Sequence, residues 1–95
     1  MPLETKKFNI QEHLRTPQEQ AAYIDAALED GDASVIASAL GDIARARGVG
    51  KFAEEIGVTR AAIYKTFVPG GNPTLETLTK ATKALGLRLT VKPAA

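Results

Sequence analysis

The stretch that most constrains this chain runs from Val49 to Val68, VGKFAEEIGVTRAAIYKTFV. At the helical period, Phe52, Ala53 and Ile56 fall on one face of a first short helix, and Ala62, Ile63 and Phe67 on one face of a second. Gly57-Val58-Thr59 stands between them. Gly57 can take a positive φ at little steric cost, so it ends the first helix sharply and lets Val58 turn inward as the knob joining the two. Thr59 is a good N-cap, its hydroxyl placed to accept from the N–H of Ala61 or Ala62. The pattern therefore predicts a helix-turn-helix, with small Ala53 where the helices approach. Its outer side carries Thr59, Arg60, Ala61, Tyr64 and Lys65, a set able to reach a DNA major groove if the second helix lies in one. The same pattern suits a plain helical hairpin in a small all-α protein, and this stretch alone leaves both readings open.

The segments before it read as helices with explicit starts and stops. Thr16-Pro17-Gln18-Glu19 supplies an N-cap, a proline at N1 and a glutamate at N3 for a capping box. The helix it opens runs to about Asp30 on the stripe Ala21, Ile24, Ala27 and Leu28. Gly31 is its terminator, and Asp25, Glu29 and Asp30 make its other side acidic. Asp32 caps the next segment, whose apolar positions Val35, Ile36, Ala39, Leu40, Ile43 and Ala44 cover an arc too wide for a helix packed on one side only. This predicts the central helix, ending near Arg47 at Gly48. Arg45 and Arg47 there complement the helix dipole, with a place near a DNA backbone as the alternative. Upstream, Ile10 to Leu14 suits one helical turn. It contains His13, the one histidine, read as a surface or boundary residue.

Beyond the central stretch, Pro69-Gly70-Gly71-Asn72-Pro73 excludes any regular element. Thr74 caps a last helix on the stripe Leu75, Leu78, Ala81, Thr82 and Leu85, ended by Gly86. The period then changes to two, with Leu87, Leu89 and Val91 alternating with Arg88, Thr90 and Lys92. This predicts a short C-terminal β-strand. A lone strand leaves its backbone groups unpaired, so it needs a partner: the segment from Thr5 to Asn9, where Lys6-Lys7-Phe8 suits a strand, or another subunit.

Composition sets the remaining bounds. With 95 residues, 44% of them hydrophobic, no Trp, two Tyr and three Phe, the core must be built of closely packed Ala, Leu, Ile and Val. The expectation is a mainly α bundle of about five helices. The absence of cysteine removes disulfides and thiolate metal sites, and one histidine supplies neither a metal cluster nor a nucleophile with its base. The chain is therefore expected to hold no metal or cofactor and not to be an enzyme. Its first residues lack an apolar leader and no run suits a membrane span, so a cytoplasmic location is expected. The net charge of +1 conceals a division. Residues 1–44 hold three Lys/Arg and eight Asp/Glu, net −5, whereas residues 45–95 hold nine and three, net +6. A basic half around the outer-facing helix is what a polyanion partner requires.

From Asp32 to Val91 the chain resembles the Cro and lambda-repressor-like (Xre-type) helix-turn-helix family. The likeness rests on the spacing of Ala53, Gly57 and Ile63, the Thr59 cap, the loop GGNPTLETL from Gly70 to Leu78, and the ending KALGLRLTV from Lys83 to Val91. The opening LETKKFN, the helix ending ALEDGD and the run IASALGDIARARGVG extend it over nearly the full length to one branch, the addiction-module antidotes, antitoxins of type II toxin-antitoxin pairs. The resemblance implies a lambda-repressor-like bundle over residues 32–95. Residues 1–31 would add an N-terminal arm and extra helix, all within one compact domain. It also implies a protein that binds operator DNA as a homodimer, represses its own operon and neutralises a cognate toxin, a small basic ribonuclease of the RelE or HigB type. A phage-type repressor without a toxin is the alternative.

Carried onto this sequence, the family's base-facing positions fall on Thr59, Arg60, Ala61, Tyr64 and Lys65. Arg60 suits a bidentate contact with guanine and Ala61 a thymine methyl. These residues depart from the Gln-rich recognition helices of the phage repressors, so no operator sequence transfers. DNA backbone contacts fall on Lys51 and on Gly70, Gly71 and Asn72. Lys80 and Lys83 lie on a solvated side. For the toxin, the acidic face carrying Asp25 and Glu29 has the sign to meet a basic partner. The chain ends two residues after Pro93, so neutralisation by a long wrapping tail is not expected.

Overall fold

The computed structural model describes residues 9–94. A 3-10 turn (Ile10–His13) is followed by α1 (Pro17–Asp30), α2 (Ala33–Arg47), α3 (Val49–Ile56), α4 (Arg60–Thr66) and α5 (Leu75–Ala84). The expected boundaries hold because local chemistry sets them. At α1 the Thr16 hydroxyl accepts from the Glu19 N–H at 3.1 Å, while the Glu19 carboxylate accepts from the N–H groups of Thr16 and Arg15 at 3.0 and 3.1 Å. Asp32 caps α2 through the Ser34 N–H at 2.8 Å, and Thr59 and Thr74 cap α4 and α5 through Ala62 and Thr77, each at 3.1 Å. A cap of this kind contributes about 1 kcal/mol.

Helix α2 is central, touching α1, α3, α4 and the 3-10 turn, while α5 packs on α3. The core gathers Leu14, Ile24, Leu40, Ile43, Phe52, Ile56, Ile63, Phe67, Ala81 and Leu85. The Phe52 and Phe67 rings lie 6.3 Å apart at 49°, a tilted pair worth about 0.5–1.5 kcal/mol beyond its buried area. The wide arc of α2 is wider than its stripe suggested, since Ala37 and Gly41 are buried too.

Three expectations are corrected. Val35, placed in the apolar arc of α2, is exposed in the first turn of that helix. Leu75, placed in the α5 stripe, is 74% exposed, because it opens the helix at the end beyond the bundle. The C-terminal β-strand is not formed, and no strand occurs among the described residues. Residues 87–94 run without regular structure. Leu87 and Leu89 are half-buried, as alternation requires, but Val91 is fully exposed. Alternation sets which side chains face inward, whereas a strand requires a second backbone in register, and no described segment supplies one. The proposed partner segment from Thr5 lies, except for Asn9, outside the described residues.

Candidate nucleic-acid interface

Helices α3 and α4 meet at the expected corner. Gly57 is left-handed (φ 75°), and the Val58 N–H donates to the Ala53 carbonyl at 2.9 Å, closing the end of α3. Val58 is half-buried against the core. On α4, Ile63 is buried, as is Phe67 just after it, which turns the other side of this short helix outward. Thr59, Arg60, Ala61, Tyr64 and Lys65 are all exposed there. The Thr59 hydroxyl is engaged as the cap, so its role in orienting the helix is already taken. Tyr64 is 55% exposed, its ring bordering a crevice shared with Arg45 and Val49. Arg60 lies back across the first turn of α3, its guanidinium over Gly50. Lys51 is exposed in that same turn, whose free N–H groups no side chain caps.

The glycine loop is tied inward. The Gly70 N–H donates to the Ser34 hydroxyl at 2.6 Å and the Gly71 N–H to the Val68 carbonyl at 2.8 Å. Both donors are thus committed within the chain, and the bare Cα of Gly71 packs against the Thr66 carbonyl, whereas Gly70 has open space beside it. Asn72 beside them is exposed.

The two arginines ending α2 part company. Arg45 reaches Asp42 at 3.4 Å with much of its side chain in solvent, beside Tyr64. Arg47 turns inward, donating to Gln20 Oε1 at 3.2 Å and to both oxygens of Glu55 at 3.0 and 3.2 Å, with its guanidinium 5.9 Å from the centre of the Phe52 ring. It ties α1 to α3 and does not face a DNA backbone. Gln20, buried among apolar neighbours, passes the connection on by donating to the Leu14 carbonyl at 2.9 Å. It lies one turn before Ile24 on the α1 stripe, so periodicity had the means to find it. Between α1 and α2 the Tyr23 hydroxyl donates to Asp42 at 2.6 Å. Burial, and then this bond and the Asp42 charge, push the Tyr23 pKa up to about 12.

No group of His, Asp or Glu among the described residues could hold a metal ion, and no described helix is long and apolar enough to cross a membrane. Comparison with known proteins decides the family: residues 4–93 match the model of the probable addiction module antidote proteins. The chain belongs to this antidote family. An uncharacterized protein of Haemophilus influenzae is 39% identical over 92 residues, covering 97% of this chain and 95% of the relative. No solved structure matches.

An antidote has a toxin as its counterpart, so the acidic helix of this antitoxin family member gains interest. Asp25 and Glu29 are exposed on α1 and border an open groove of about 780 Å³. The segment from Leu87 to Lys92 also lines it, so the groove combines apolar Leu28, Leu87 and Leu89 with the carboxylates of α1 and with Arg88 and Lys92.

Proposed function

We propose that this protein is the antitoxin of a type II module, binding operator DNA through a helix-turn-helix formed by α3 and α4. The observation that carries the DNA half is the exposed row Arg60, Ala61, Tyr64 and Lys65 on a helix whose opposite side is anchored by Ile63 and Phe67. Exposed side chains on a helix anchored from behind suit base edges in a major groove, and among them Arg60 has the donors that match a guanine. Lys51 at the uncapped start of α3, and Asn72 with its two glycines, supply the backbone contacts. The net charge of +6 over residues 45–95 gives the sequence-independent attraction.

The operator is bound by a homodimer, which represses the module's own operon. Its support is Val91, fully exposed on the segment after α5, an apolar side chain that a second copy could cover. Residues 32–95 form the DNA-binding part, and residues 1–31 add the surface for the toxin. That toxin is a small basic ribonuclease of the RelE or HigB type, met by Asp25 and Glu29. The antidote family supports the toxin half, and the acidic sign of α1 supports its placement.

The deciding experiment is gel retardation of a duplex from immediately upstream of the gene, alongside the mass of the protein in solution. A shifted band at moderate salt and a dimer are expected. A monomer that leaves the duplex unshifted removes this reading. A neighbouring open reading frame whose product the protein binds in a pull-down separates an antitoxin from a repressor without a toxin.

A further inference from the structure

We propose that Gly50 is a positioning residue for Arg60, its missing side chain forming the slot that fixes the direction in which that arginine meets DNA. The proposal rests on the DNA-reading role given above to α4.

Gly50 sits in the first turn of α3, where glycine weakens a helix relative to alanine. Its backbone supplies no reason for the choice. Positive φ values fall at Gly31, Gly48, Gly57, Gly70 and Gly86, and Gly50 is not among them. What a side chain there would meet is Arg60. A Cβ on Gly50 would stand 2.6 Å from Nη2, 2.8 Å from Nε and 3.1 Å from Cζ of that residue, so the guanidinium lies across the bare Cα. These three atoms belong to the far end of a flexible side chain, so a Cβ would turn the arginine away and leave the packing of α3 on α4 in place.

The nearby Glu55 carboxylate is taken by Arg47, and the start of α3 is the positive end of a helix dipole with Lys51 beside it, so charge does not draw the Arg60 guanidinium there. The bare Cα of Gly50 is what leaves room for it there. A bidentate contact with guanine orders the guanidinium plane, and a rest site on a neighbouring helix reduces the ordering that binding must supply.

The test uses the full chain as Gly50→Ala, Arg60→Ala and the double variant, with Gly50→Ser as a second probe of the slot. Each is titrated by fluorescence anisotropy against a duplex from upstream of the gene and a scrambled duplex of equal length. Gly50→Ala is expected to keep or raise Tm and to lower affinity for the upstream duplex about tenfold, with the scrambled duplex unchanged. In the Arg60→Ala background it should change nothing further. Wild-type affinity in Gly50→Ala, with Arg60→Ala weakened, overturns the proposal and leaves the reading of α4 standing. An equal loss from Gly50→Ala in both backgrounds overturns it too, because Gly50 then meets DNA itself. Full affinity in Arg60→Ala overturns the reading of α4 and this proposal with it.

Discussion

The Cα of Gly41, in the middle of α2, faces the carbonyl oxygen of Phe67 so closely that a Cβ built there overlaps it. The obstacle is backbone, so it cannot swing aside, and Gly41 is buried in an ordinary helical position. This contact sets how α4 sits on α2. Gly41→Ala should therefore destabilise by about 1–3 kcal/mol, the cost of overpacking, despite alanine's better helix propensity. A denaturant titration that shows equal or greater stability would refute the close approach.

Arg47 should behave as part of the core and not as a DNA contact. Arg47→Ala removes its bonds to Gln20 and Glu55 and its cover over Phe52. The expected loss is about 1–3 kcal/mol, since the buried amide of Gln20 loses a donor while the half-exposed Glu55 regains water. At a temperature where the variant is folded, its DNA affinity should equal wild type in the same anisotropy assay.

The Tyr23 hydroxyl gives stability a signature at high pH. Its folded pKa, about 12, lies above the ordinary 10.0, so the protonated phenol is favoured by folding. That contribution is complete below pH 10 and fades as pH rises toward 12. Tyr23→Phe should be less stable than wild type at pH 7, and the gap should close by pH 12. Urea titrations of both proteins at several pH values measure it, and a constant gap would show that folding does not raise the phenol's pKa.

Two cations of the candidate interface should fail differently. Arg60→Ala is expected to lose about 1–3 kcal/mol on the upstream duplex and little on a scrambled one. Lys51→Ala should weaken both and lower the salt slope by about one unit. If both variants retained full affinity for the upstream duplex across the salt series, α4 would not be the reading element.

For the toxin surface, Asp25→Lys with Glu29→Lys reverses the exposed acidic face of α1 without touching the core. Binding to the product of the neighbouring reading frame should fall while DNA affinity holds or rises. Unchanged capture of the toxin in a pull-down moves the contact elsewhere.

What the sequence determined by itself is everything decided within about four residues. The Thr16 box, the caps at Asp32, Thr59 and Thr74, the left-handed stop at Gly31 and the one at Gly57 that sets the corner between α3 and α4 all follow from hydrogen bonds and φ preferences between near neighbours. Tertiary structure decided what depends on distant chain. Arg45 and Arg47 read alike as charges ending a helix, but only packing sends one to solvent and the other to Gln20 and Glu55. Gly41 and Gly50 carry no local sign of their purpose, because each is shaped by a residue from α4 or its end. The alternation from Leu87 to Val91 fixed which leucines turn inward, yet a strand exists only against a second strand, and no described residue provides one.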